Sequence, residues 1–121
     1  MEEIRPNTIF CDIDGTIVKQ NTAAVNAHPD LPLILLPGTA EKLETWDRSG
    51  YNIILTTGRK ESMRYSTENQ LRKAGIYYDQ LIMGIGGGKR YLINNRKKDR
   101  EENYATAINL SFDEGIYGII L

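Results

Sequence analysis

An apolar run that ends in two carboxylates constrains this chain more than any other stretch. Ile9-Phe10-Cys11-Asp12-Ile13-Asp14-Gly15-Thr16 reads as a buried strand that breaks at Gly15. In an extended strand, residues i and i+2 share a face, so Asp12 and Asp14 point the same way. Two acids on one side of a core strand repel and lose hydration, at a cost on the order of several kcal/mol per ion. A polar strand end with an Asp-Gly turn is the plain alternative. A divalent cation, a phosphate and a nucleophilic role account for both acids together.

The rest of the chain places more polar groups at strand ends. After strand Thr8–Ile13, the segment from Thr16 to Pro37 reads as a short flap or irregular hairpin. Prolines at 32 and 37 forbid a helix through Leu31–Pro37. A helix is predicted over Gly38–Ser49, with Thr39 as N-cap, Leu43 and Trp46 on its apolar stripe and Gly50 as its stop. Tyr51–Thr56 is a buried strand and Thr57-Gly58-Arg59 its turn. A second helix spans Lys60–Ala74, with Met63, Asn69, Gln70 and Leu71 on or near its inner side. Further strands are predicted at Leu81–Met83, Arg90–Asn94 and Ala105–Leu110, with a glycine turn over Gly84–Gly88. Alternating strands and helices at this spacing imply βαβ units and a parallel sheet. Ligands of such sheets bind at the carboxyl ends of the strands. Asp12, Asp14, Thr56, Thr57, Lys89, Asn94 and Asn95 all fall at or beside such ends.

Composition narrows the function classes. A chain of 121 residues is expected to form one domain with a core of its own. Fifteen basic and sixteen acidic residues give a net charge of -1, which argues against a general nucleic-acid or membrane surface. One cysteine allows no disulfide within the chain. No apolar run approaches the ~20 residues of a membrane span, and Met1–Pro6 lacks the pattern of a secretory signal, so a cytoplasmic location is the expectation. Cys11 alternates with Asp12 along the strand and reads as a small buried hydrophobe. Gly86-Gly87-Gly88 precedes no helix and is no dinucleotide fingerprint.

Asp12-Ile13-Asp14-Gly15-Thr16, followed in order by Thr56-Thr57-Gly58-Arg59, Lys89 and Leu92-Ile93-Asn94-Asn95, resembles the four motifs of the haloacid dehalogenase-like phosphatases. The likeness runs from about Asn7 to about Leu110. It implies an α/β fold, a Rossmann-like three-layer sandwich with a small parallel sheet. Residues 1–121 would be one core domain, with residues 16–37 as a short flap in place of a cap domain. It implies a magnesium-dependent phosphomonoester hydrolase that works through an aspartyl-phosphate, on a phosphorylated sugar or another small metabolite. Asp12 would be the nucleophile. Asp14 would give a proton to the leaving oxygen and then take one from water. Magnesium would sit on the Asp12 carboxylate, the Asp14 main-chain carbonyl and Asn95. Gly15, Thr16, Thr56, Thr57, Gly58, Arg59 and Lys89 would contact the phosphate, with Lys89 as the neutralising cation and Arg90 its competitor one position on.

Two features depart from that pattern. The fourth motif usually carries an aspartate, and here it is Asn94-Asn95, which removes a negative charge from the metal site. Asn95 coordinates in place of aspartate, or Asp99 fills the acidic position, or the chain is a catalytically impaired phosphate- or partner-binding domain. There is also no room for a helix between Gly84 and Lys89. A flap too short to be a cap suggests either a large substrate or closure by a second copy of the chain, hence a homo-oligomer.

Overall fold

Three short strands form, and each forms where a run of β-branched and aliphatic residues meets a polar end. The computed structural model describes residues 5–121. Strand β1 (Thr8–Asp12) is followed by a one-turn helix α1 (Ala23–Asn26) and helix α2 (Thr39–Arg48). Strand β2 (Asn52–Thr56) leads through a single 3-10 turn at Glu61–Met63 into helix α3 (Arg64–Lys73) and strand β3 (Gln80–Ile82). The sheet is parallel, in the order β1-β2-β3. The result is the expected Rossmann-like α/β arrangement, without a cap domain.

The register is what positions the site. Asp12 lies beside Thr56, and Thr56 beside Ile82. All three strands therefore end level, and the loops that follow them gather at one edge.

The core is built on the sheet and its crossovers. Ile13, Ile17, Val18, Ile53, Leu55 and Leu71 are fully buried, with Leu43 and Ile116 close to it. Ile17 and Val18 belong to the flap, so its root is core. The Ile13 carbonyl accepts the N–H groups of Thr16, Ile17 and Val18. Val18 also bridges to Leu35, and Leu36 N–H donates to the Ile17 carbonyl at 2.9 Å. Only the stretch between, around α1 and the prolines, stands away from the sheet.

Thr39 does not cap α2. Gly38 holds that position with φ 89°, and the Thr39 hydroxyl donates instead to the Ile17 carbonyl at 2.6 Å, tying the helix start to the flap root. A side chain at Gly38 would be strained by its φ, and its Cβ would lie 2.3 Å from the Tyr117 Cα.

The strands expected at Arg90–Asn94 and Ala105–Leu110 do not form; residues 83–121 carry no regular element. Seven residues, 83–89, separate β3 from Arg90. A parallel return needs a crossover of about a dozen residues or more. The chain instead passes over the sheet's carboxyl edge, where Gly84 N–H donates to the Arg59 carbonyl and Ile85 N–H to that of Thr57. Tyr91 and Ile93, apolar enough to suggest a strand, are 83% and 93% exposed. The last stretch returns to the body: Ile116 enters the core, and Ile116 and Tyr117 both donate N–H to the Pro37 carbonyl. No described helix is long and apolar enough to cross a membrane.

Candidate active site at the carboxyl edge of the sheet

Asp12 is the half-open carboxylate of the site. Its side chain is 32% exposed at the end of β1. The Ile13 N–H and the Thr16 hydroxyl lie on the side of its charged form. Burial raises its pKa above the usual 3.8, and the Asp14 charge adds to that; Arg90 and these two groups oppose it. Arg90 Nη1 stands 3.5 Å from Asp12 Oδ1. Of the two cations weighed for this role, Arg90 makes the recorded contact; Lys89 is exposed beside it.

Asp14 is held in another way. Arg59 grips it with two bonds, Nε to Oδ2 at 2.9 Å and Nη2 to Oδ1 at 2.7 Å. The two side chains are 3% and 13% exposed. With both oxygens accepting, the Asp14 side chain acts here as an acceptor. The remaining N–H groups of Arg59 go to Thr67 Oγ1, Gln70 Oε1 and Asn26 Oδ1. All five guanidinium donors are thus satisfied, as burial of a charge demands.

The other expected residues fall into two groups. Gly15, Thr16, Thr56, Thr57, Gly58 and Arg59 gather at the edge with Asp12 and Asp14. Gly15 has φ 82°, its carbonyl accepts the Asp113 N–H, and the Phe112 ring covers it at 3.2 Å from where a Cβ would stand. Thr57 is buried, and its hydroxyl oxygen accepts the Arg59 N–H at 3.1 Å. Asn94 and Asn95 form the second group. They lie exposed on the irregular segment, along a hollow of about 290 Å³ shared with Arg96, Asn103 and Tyr104. Neither Asp12 nor Asp14 lines that hollow.

This bears on magnesium. A magnesium ion is held by oxygen ligands, including one or two carboxylates. Asp12 offers one, with Arg90 3.5 Å from it; both Asp14 carboxylate oxygens are taken by Arg59, which leaves of Asp14 the main-chain carbonyl expected as a ligand. Asn95 is exposed and lines the hollow with Arg96, Asn103 and Tyr104. No group of three or more His, Cys, Asp or Glu side chains among the described residues could hold a metal ion. The side-chain carboxylate that these residues leave open to a metal is that of Asp12.

Asn26, Thr67, Gln70, Phe112 and Asp113 were not foreseen as parts of the site. Asn26 sits on the flap, in a polar run with no motif. Thr67 and Gln70 did leave a trace: they are polar positions three apart on a helix whose inner side should be apolar.

No protein-family model matches the chain, and no curated protein matches it. Solved structures do. One is a structure of a Pnkp1/Rnl/Hen1 complex, with 29% identity and a TM-score of 0.57 over 71% of this chain and 30% of the other. A D,D-heptose 1,7-bisphosphate phosphatase from B. bronchiseptica, complexed with magnesium and phosphate, matches at 20% identity and TM-score 0.50, over 67% of this chain and 51% of the other. A protein from Vibrio cholerae matches at 19% and 0.52, over 73% of this chain and 79% of the other. The chain spans under a third of the length of the Pnkp1/Rnl/Hen1 chains it matches.

Proposed function

The chain has a haloacid dehalogenase-like fold, and from that premise we propose that it hydrolyses phosphomonoesters, with Asp12 as the nucleophile. The observation that carries the reading is Asp12 itself: a half-exposed carboxylate at a strand end, steadied by Ile13 N–H and the Thr16 hydroxyl, with a guanidinium 3.5 Å away. An Asp12 oxygen attacks phosphorus, and the P–O bond to the leaving group breaks as the new one forms. Arg90 balances charge on the transferring group. The departing oxygen takes its proton from solvent; water then attacks phosphorus, the Asp12 O–P bond breaks to free phosphate and the Asp12 carboxylate, and Asp14 takes the water's proton on a lone pair that Arg59 does not use and returns it to solvent. In this pose Asp14 is arranged for the second half of the cycle; giving a proton to the leaving group would require release from Arg59. No step is routed through a metal.

The substrate class we propose is a small phosphorylated sugar, following the heptose bisphosphate named for one structural neighbour. An RNA-repair complex among the other neighbours makes a phosphorylated oligoribonucleotide the alternative to include. The test is release of phosphate from p-nitrophenyl phosphate, a sugar-phosphate panel and such an oligonucleotide, for wild type and Asp12→Asn, with and without magnesium. Turnover lost in Asp12→Asn supports the reading. Equal rates for the two proteins refute it and leave a phosphate-binding domain without catalysis, the reading that Asn94-Asn95 favours. We also place a contact with a second copy at the flap, where Leu31 and Ile34 are 41% and 56% exposed. Sedimentation of wild type against Ile34→Glu tests it.

A further inference from the structure

Two side chains from separate parts of the chain meet on the buried guanidinium of Arg59. Arg59 follows β2, Gln70 lies on α3, and Asn26 ends the flap helix α1. Each is at most 8% exposed. Gln70 works in two directions. Its Oε1 accepts from Arg59 Nη1 at 2.8 Å, while its Nε2 donates to the carbonyls of His28 and Asn26, at 2.7 and 3.3 Å. Asn26 accepts twice: its Oδ1 from Arg59 Nη2 at 3.2 Å, and its main-chain carbonyl from the Ser66 hydroxyl at 3.2 Å. Asn69 adds a bond from Nδ2 to the Pro29 carbonyl. The flap backbone from Asn26 to Pro29 is therefore bound to α3, and the same side chains set the orientation of Arg59.

A guanidinium is planar, so its fork can face Asp14 squarely in only one orientation. Thr67, Gln70 and Asn26 select that orientation from the far side. Without them Arg59 could still be charged, yet it would have no reason to present Nε and Nη2 together.

We propose that Asn26 and Gln70 are positioning residues: they fix the Asp14 carboxylate through Arg59. The kinetic consequence rests on the phosphatase reading above; the geometric one does not. Neither residue touches the reacting atoms. Their loss acts on kcat with little effect on KM, since small misplacement of a reacting group costs about ten- to a hundredfold in rate.

The experiment has two readouts, hydrogen exchange of the Arg59 Nε–H by NMR, assigned by its loss in Arg59→Lys, and steady-state kinetics on p-nitrophenyl phosphate. Gln70→Ala and Asn26→Ala should each speed that exchange and lower kcat about tenfold or more, with KM within about twofold. Together they should cost less than the product of the two, because both act through one guanidinium. Gln70→Glu keeps an acceptor for Arg59 and loses the donors to the flap, so it should recover most of kcat. Ser66→Ala weakens the flap tie without touching Arg59 and should leave the exchange and kcat unchanged. If Gln70→Ala does not fold, Asn26→Ala and Gln70→Glu decide. Wild-type exchange in both alanine variants overturns the proposal. So does a Ser66→Ala that matches Gln70→Ala, or a Gln70→Glu no better than Gln70→Ala, since both would mean flap stability alone. A wild type without turnover refutes the phosphatase reading, and the exchange data then decide the geometry alone.

Discussion

Arg59→Met should be among the most damaging single substitutions in this chain, for reasons that can be summed from the site. The change keeps a long side chain but removes a charge with five donors. It leaves the Asp14 carboxylate, 13% exposed, without its partner, and it strips the acceptors Thr67 Oγ1, Gln70 Oε1 and Asn26 Oδ1 of theirs. Removing one member of a buried ion pair costs about 3–5 kcal/mol. A domain of this size is stable by about 5–15 kcal/mol, so about a fifth of the total or more is at stake. The melting temperature should fall by roughly 10–20 °C. Urea titration followed by Trp46 emission measures it, since Trp46 is the chain's one tryptophan and is 7% exposed. Arg59→Met combined with Asp14→Asn should recover part of the loss, because the orphaned charge is gone. A loss for Arg59→Met below about 1 kcal/mol, the value of an exposed pair, would refute the buried clasp.

Four more outcomes follow from the structure. Asp12 must be ionised to attack, and burial raises its pKa above 3.8, so the acid limb of kcat/KM against pH should lie above that value; Arg90→Gln removes an opposing influence and should move the limb higher still. The same sign governs stability: a carboxyl raised in the folded state favours folding at low pH and loses that contribution as pH rises through its folded value, so Asp12→Asn should melt higher than wild type near neutral pH and show no such gain below pH 3.8. Cys11 is buried with its thiol pushed up to about 12, so native protein should resist a thiol reagent at pH 8 that labels the urea-unfolded chain at once. Ile116→Ala should cost about 2–5 kcal/mol by urea titration despite its place on an irregular segment, because the side chain is 1% exposed and fills the core.

The sheet and its crossovers were legible because periodicity and stop signals agree there. Tyr51–Thr56 and Gly38–Ser49 were each placed within a residue of the observed β2 and α2. So was the polar edge from Asp12 to Arg59, since strand ends follow directly from strands. What composition cannot show is where an apolar segment goes when no edge is within reach. Arg90–Asn94 has the residues of a strand and too short a lead to lie parallel to β3. Asn94 and Asn95 were expected at the site by motif order and as a strand end; the strand does not form, and both lie exposed on an irregular segment. Thr39 looked like a cap because its type suits one; the buried Ile17 carbonyl claimed its hydroxyl. The grip of Arg59 on Asp14 links residues 45 positions apart, and no local pattern encodes such a pairing.

The tie between Gly15 and Asp113 has a consequence for how the molecule comes to exist. The loop that carries both aspartates is latched by an N–H from a residue far along the chain, and the same distant stretch supplies Ile116 to the core. β1, β2 and the helices between them can associate early, through contacts of moderate sequence separation. The latch cannot. Closing so long a loop is slow, and its entropic cost falls before the contact rewards it. Sequence separation therefore orders the two events in expectation: the sheet pairs first and the Asp12 loop latches after it, so in pulse-labelled refolding the Asp113 N–H should gain protection later than the amides shared by β1 and β2.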